Sequence, residues 1–345
     1  MNSDDIDPLS LLWNTSFNLH KITPLNLTGA LTSQTNLKSH STRLTNILRG
    51  DVLRGVRVAE SQNSNDDSTS RTGALKKVKF ATTTINDELS AVAIIFLYEK
   101  ITYSAFLVQS SSRLNAAATE TSRRTSLRRA SVREDQSNHY PLLLTRLPAW
   151  LQSRFLEYVV ENFDCHVSTL RLPDGFIMKS IEKCLELFTP SSDGNVTDDT
   201  QPAKNLQIWL EPPTTKDTEQ GTKNGKLQTL KTISMTFTRE DIPGLLYKGR
   251  ELKERLEDEN DGRGPFELAL SLYAYHHMGI FVEKMKLSKA ACAEFITGTA
   301  ADGSGKCKFF APKAARQNGD GEAVEETRRH RSWDGMLGSL VEIAS

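Results

Sequence analysis

A chain of 345 residues with 43 Lys plus Arg against 43 Asp plus Glu has no net charge, which excludes whole-chain attraction to nucleic acid or membrane and leaves only local basic surface. The hydrophobic fraction of 38% lies below the usual globular range, so a normal core is expected to share the chain with disordered polar sequence. The length admits two average domains or one large domain with long insertions.

The opening MNSDDIDPLS is acidic and lacks the basic and apolar regions of a signal peptide, which points to an intracellular, reducing compartment. From Leu37 through Leu44, Ile47 and Leu48 the apolar residues recur at helical spacing. That helix is expected to approach Gly50, with Gly50 and Gly55 letting the backbone pass into a strand over Val56 to Val58. Arg49-Gly50-Asp51 is therefore read as turn chemistry, not as an adhesive motif. After a polar linker at 59–73 come a strand in LKKVKF and the apolar run Ala91 to Tyr98, too short to span a membrane and best suited to a buried strand. EKITYSAFLV completes an antiparallel pair with it.

A second polar insertion covers 110–138 and is expected to be disordered. In PLLLTRLPAWLQSRFLEYVVENF, Pro148 suits a first helical turn, and Leu151, Phe155, Tyr158 and Val159 share one face. CHVSTLRL alternates as a strand, and Ile177, Ile181, Leu185 and Phe188 line up on a further helix. Polar insertions recur at 190–204 and 212–226, separating the alternating strands NLQIWLEP and KTISMTFT, which are expected to pair. Two helices follow: a charged one after Pro243 burying Leu245, Leu252 and Leu256, and PFELALSLYAYHHMG, more apolar and expected to be more buried. A hairpin joins KMKLSKAACAEFITG to KCKFFAP across TAADGSG. Residues 313–345 are expected to form a disordered tail, ending in the apolar MLGSLVEIA, which also has the composition of a partner-binding segment.

No motif supports catalysis or a cofactor. Cys165, Cys184, Cys292 and Cys307 are far apart, with no C-x-x-C and no histidine pair at zinc spacing, so free buried thiols and no metal are expected. DGSGK, Asp302 to Lys306, fails as a phosphate loop: Ala300 stands where a glycine is needed, Cys307 replaces the Ser or Thr after the lysine, and a strand follows instead of a helix. His276 and His277 point about 100° apart on a helix. They suit a helix C-terminus before Gly279 better than a shared ion. No Ser-His-Asp or Cys-His arrangement has flanking sequence that would position a nucleophile. The sharpest local signal is RRTSLRRAS. Two Arg-Arg-x-Ser units place Ser126 and Ser131 where basophilic kinases read them, and phosphates there would reverse the local charge. The same arginines also have the character of a nuclear import signal.

Several blocks, LWNTSFNLHKITPL, LRGDVLRGVRV, YEKITYSAFLV, PLLLTRLPAWLQSRFLEYVVENFDCHVSTLRLP and SKAACAEF, resemble in order the fungal branch of the CENP-L family, a kinetochore Sim4-complex subunit. The resemblance spans residues 12–312 and skips the polar insertions, as expected of surface loops. It implies an α+β fold with a curved, largely antiparallel sheet and helices on one face. It also implies a non-enzymatic inner-kinetochore protein of the nucleus that pairs with a CENP-N-like subunit and joins the centromere-associated network on CENP-A nucleosomes and centromeric DNA.

From the family's C-terminal β region, the resemblance places the partner interface around Lys306, Cys307, Lys308, Phe309 and Phe310, with Phe309 or Phe310 as an anchor. Burial in the chain's own core is the competing role for either ring. The resemblance further implies a basic groove for DNA, for which Arg54, Arg57, Lys76, Lys77 and Lys79 are the candidates against the plainer reading of a solvated strand face. Self-association in the absence of the partner is left open. The alternative function is a basic-surface nucleic-acid-binding module outside the kinetochore, which would bind DNA tightly without a protein partner.

Overall fold

The structure, a computed structural model, describes residues 7–27, 30–53, 72–86, 88–110, 139–186, 204–212, 232–255, 262–300, 302–311 and 335–345. The polar insertions therefore lie, except at their margins, outside the described residues, as do Arg54, Arg57, Ser126 and Ser131. The chain divides into two compact units, Met1–Leu170 with Leu337–Ser345, and Arg171–Met336. Both are built on antiparallel strands, so the α+β class with a large antiparallel sheet is the observed one.

In the first unit, a 3-10 turn at Pro8–Leu12 precedes β1 (Ser16–Ile22) and the long helix α1 (Gln34–Leu53). Strands β2 (Leu75–Thr84), β3 (Leu89–Tyr98), β4 (Thr102–Ser110) and β5 (Leu142–Arg146) follow, then α2 (Ala149–Phe163) and the short β6 (Val167–Thr169). Strand order is β2-β3-β4-β5-β1, with β6 against the end of β1. The run Ala91 to Tyr98 is buried along its whole length, which explains why it shows no alternation: a strand covered on both faces has no polar side to present.

Helices α1 and α2 cover one face of this unit's sheet. Leu37, Leu44 and Leu48 of α1 and Leu151, Phe155, Tyr158, Val159 and Phe163 of α2 share one buried cluster with Val78, Phe80, Val92, Ile94, Phe96 and Leu107. Within it the Phe96 and Phe155 rings meet edge to face at 5.4 Å, a geometry that adds about 0.5–1.5 kcal/mol beyond burial. The helix ends at Asp164, whose left-handed backbone (φ 44) is tolerated by a short polar side chain.

The second unit holds α3 (Phe176–Glu186), β7 (Leu206–Glu211), β8 (Ile233–Phe237), α4 (Asp241–Arg255), α5 (Pro265–Met278), β9 (Lys286–Ala291), β10 (Phe295–Thr299) and β11 (Gly305–Phe309). Its strand order is β11-β10-β9-β7-β8. The expected pairing of NLQIWLEP with KTISMTFT is present, Leu206 opposite Phe237, and so is the hairpin across the DGSG turn, Thr299 opposite Gly305.

Five expectations are corrected. Gly50 does not end α1, which continues to Leu53, because ion pairing and helix contacts described below hold its last turn. KMKLSKAACAEFITG is not one strand: Cys292 N–H donates to Phe295 O at 2.9 Å and turns the chain between β9 and β10. On α4 the fully buried positions are Ile242, Pro243, Leu246 and Gly249, so the buried face is rotated away from Leu245 and Leu252, while Leu256 lies outside the described residues. Helix α5 buries Phe266, Ala269, Leu270 and Ala274 but leaves Tyr273, Tyr275 and Met278 exposed. Finally, residues 335–344, assigned to the disordered tail, form a helix, α6, with Met336, Leu337, Leu340, Val341 and Ala344 buried. The spacing i, i+1, i+4, i+5, i+8 is that of one helical face.

Candidate interaction surfaces

The basic strand β2 ends the strand order of the first unit, so its outer backbone groups need partners other than a strand. Helix α1 supplies them from three positions four residues apart. Ser41 Oγ donates to Val78 O, Thr45 Oγ1 accepts from Val78 N–H at 3.0 Å, and Arg49 donates to Lys76 O. Thr45 donates in turn to Ser41 O at 2.7 Å. Lys76 is the extra residue of a β-bulge: Leu75 pairs with Tyr98 and Lys77 with Leu97. Lys76 is exposed, and Lys77 and Lys79 are half-buried on the face opposite Val78 and Phe80. These three lysines are thus gathered on one closed edge.

The Arg-Gly-Asp triplet is occupied internally. Asp51 Oδ2 accepts from Arg154 Nε at 2.9 Å and from Arg154 Nη2 at 2.7 Å, which joins the last turn of α1 to α2. Arg49 is committed to Lys76 O. The triplet neither turns the chain nor grips a ligand; it closes a helix onto its neighbours.

The DGSG turn is likewise filled by its own side chains. Asp302 Oδ1 accepts from Ser304 N–H at 3.0 Å and Ser304 Oγ at 2.6 Å, bonds that hold its carboxyl below the usual range. A strand, β11, then carries Lys306, as expected. Along that strand Cys307 and Phe309 are buried in this chain, 2% and 0% exposed, and burial pushes the Cys307 thiol upward. This takes Phe309 and Cys307 away from a partner. Lys306 is exposed, while Lys308 and Phe310 are half-buried. Lys204 Nζ and Lys308 Nζ sit 4.9 and 5.0 Å from the Phe310 ring centre, a two-cation arrangement on one aromatic face or edge. Lys204 was not legible as part of this cluster, because it precedes a strand about a hundred residues away.

Sequence reasoning also missed an exposed aromatic group in the second unit. Tyr247, Tyr275 and Phe281 are 64%, 52% and 50% exposed. Tyr275 lies 5.2 Å from Phe281, and Lys284 Nζ lies 4.9 Å from the Phe281 ring centre. The all-round apolar pattern of α5 was the available signal; it reads as burial when a surface contact is the other solution. His276 and His277 are both exposed in the last turn of α5, before the left-handed Gly279 (φ 64), in the helix-end position expected of them.

A sequence model of the family described as Centromere protein L, CENP-L, matches residues 11–345, nearly the whole chain. The chain belongs to the CENP-L family. No curated protein gives a significant match to it. CENP-L membership makes this a centromere and kinetochore protein concerned with chromosome segregation, in a family of structural subunits not known as enzymes. Its place is accordingly the centromere within the nucleus. The CENP-L match also runs through residues 335–344, beyond the 12–312 over which the sequence blocks resemble the family. Among the described residues no helix is long and apolar enough to cross a membrane.

Proposed function

We propose that this CENP-L chain pairs with a CENP-N-like subunit of a Sim4-type complex and that the pair helps assemble the centromere-associated network on CENP-A nucleosomes. The observation that carries the reading is the family match over residues 11–345. Lys306, Lys308 and Phe310 form the partner surface, with Lys204 beside them, and Phe310 is the anchor because Phe309 is used up in the core. In the partner's absence the same surface supports self-association. Exposed aromatic rings on α5 are the kind of residue that interfaces enrich, and they favour a binding role over catalysis.

The alternative, a DNA-binding module outside the kinetochore, draws on Lys76, Lys77 and Lys79 at one strand edge. In the scaffold reading these lysines touch centromeric DNA as a weak, salt-sensitive adjunct, and phosphorylation of Ser126 and Ser131 tunes the local charge. Imaging a tagged chain against the centromeric histone tests the assignment. Persistent nuclear foci that overlap the histone support it, and diffuse signal from a functional fusion removes it. Co-purification with the CENP-N-like subunit tests the pairing, with Phe310→Ala expected to weaken recovery of the partner. Tight DNA binding by the isolated chain, with no partner recovered, would favour the module.

A further inference from the structure

The structure brings together three side chains that the sequence keeps apart. Cys184 on α3, Cys292 and Glu294, the last two at the turn between β9 and β10, place one sulfur or oxygen each within 4.8 Å of one another. Cys184 and Glu294 are both 3% exposed, and Cys292 is half-buried. None of the four cysteines is in a disulfide.

Cys184 Sγ lies 3.4 Å from Glu294 Oε2, while Glu294 Oε1 is buried with no hydrogen-bond partner. A buried carboxylate with an unmet oxygen is costly, and two thiols are poor donors to repay it. A cation removes the difficulty by accepting the carboxylate and both thiolates at once. Zinc bonds of about 2.3 Å to sulfur and about 2.0 Å to oxygen, at tetrahedral angles, put the two ligand atoms about 3.5 Å apart. Cys184 Sγ donates to Glu294 Oε2 at 3.4 Å, a separation that an ion would keep on replacing the thiol proton.

We infer that Cys184, Cys292 and Glu294 bind a thiophilic divalent cation, zinc in the reducing nucleus, with a water molecule entering past half-buried Cys292 as the fourth ligand. Two sulfurs favour zinc over magnesium or calcium, which take oxygen ligands. The ion staples α3 to the β9–β10 turn. Glu294 O also accepts from Phe310 N–H at 2.9 Å, so the staple fixes the backbone that carries Phe310. Binding releases the two thiol protons and makes no other covalent change.

The test is metal content of the purified full-length chain after exposure to zinc and removal of excess. About one tightly held zinc per chain is expected, and cobalt in its place should give thiolate-to-cobalt charge-transfer absorption. Cys184→Ser and Cys292→Ser should lose both signals, Glu294→Gln should bind more weakly, and Cys165→Ser should retain them. Should a serine variant fail to fold, the wild-type stoichiometry and cobalt spectrum still decide the matter. Substoichiometric zinc with no charge-transfer band overturns the inference, as does a chain that takes no metal and forms a Cys184–Cys292 disulfide on mild oxidation.

Discussion

Thr45 on α1 holds the backbone of Val78 on β2: its Oγ1 accepts the Val78 N–H at 3.0 Å, and the Ser41 hydroxyl one turn earlier donates to the Val78 carbonyl. A strand that ends a sheet ordinarily leaves such groups open to a second chain. Here a helix face, not a strand, completes it, and the bulge at Lys76 turns the remaining edge away from regular pairing.

Thr45→Val keeps the shape of the side chain but removes the acceptor, which leaves a buried N–H unsatisfied. The expected loss is about 1–3 kcal/mol, measured as a lower urea midpoint with unchanged slope. Thr45→Ser retains the oxygen and should lose less. A larger loss in Thr45→Ser than in Thr45→Val would show that the methyl group, not the hydrogen bond, carries the contact.

The Asp51–Arg154 pair is partly screened, with side-chain exposures of 17% and 31%. Both bonds from the guanidinium converge on one carboxylate oxygen, and Arg154 also reaches Glu157 Oε2 at 2.6 Å. A double-mutant cycle with Asp51→Asn and Arg154→Met should return a coupling of about 1 kcal/mol. The coupling should shrink as salt is raised. A coupling of zero would leave packing and the Arg49 bond to Lys76 O as what holds the end of α1.

Legibility followed periodicity. The continuous run Ala91 to Tyr98 and the alternation Leu206, Ile208, Leu210 announced β3 and β7 because burial on two faces or one face leaves those patterns directly in the residue order. Strand β5 was hidden in Leu142 to Leu144, which reads equally as the approach to a helix, and β1 in the mixed SFNLHKI. Gly50 inside α1 was misread because the forces that keep the helix going, Asp51 to Arg154 and Arg49 to Lys76 O, come from residues far along the chain. The same distance hides the functional clusters. Lys204 over Phe310 and Cys184 beside Glu294 are products of strand order and helix docking, which local spacing does not encode. DGSGK and His276-His277, in contrast, are read from local spacing alone, since a phosphate loop or metal pair needs spacing that the sequence lacks.

Two histidines give the first unit a pH dependence. His20 Nε2 lies 3.1 Å from Thr145 Oγ1 and 3.3 Å from Gln152 Nε2, while Gln152 Oε1 accepts from Asn18 Nδ2. That orientation makes the Gln152 amide nitrogen a donor, so His20 Nε2 is an unprotonated acceptor. Burial lowers the pKa of His20 below its ordinary 6.5, and burial with the Arg43 charge does the same for His40. Below that value the unfolded chain binds more protons than the folded one, so stability present above it is lost as pH falls toward the depressed folded values. The melting temperature should drop between about pH 7.5 and 5.5, and His20→Gln should flatten that slope whatever it does to the absolute value. An unchanged slope in His20→Gln would assign the acid sensitivity to other groups.

Charge reversal at β2 separates the weak-adjunct view of DNA contact from a solvated strand face. Lys77 and Lys79 pair opposite Leu97 and Ile95 and therefore share a face, while Lys76 stands at the bulge. Each phosphate contact contributes about 0.9 to the slope of log affinity against log salt on duplex DNA. Lys77→Glu with Lys79→Glu should reduce that slope by about 2 and weaken binding equally on unrelated sequences, because phosphate contacts carry no base information. The measurement is a salt titration of DNA binding by the chain in complex with its partner, with Lys286→Glu, at the exposed first position of β9, as the control substitution. A slope lowered equally by both substitutions would reduce the lysines of β2 to general surface charge. A slope lowered only at β2 would establish the strand edge as the DNA contact.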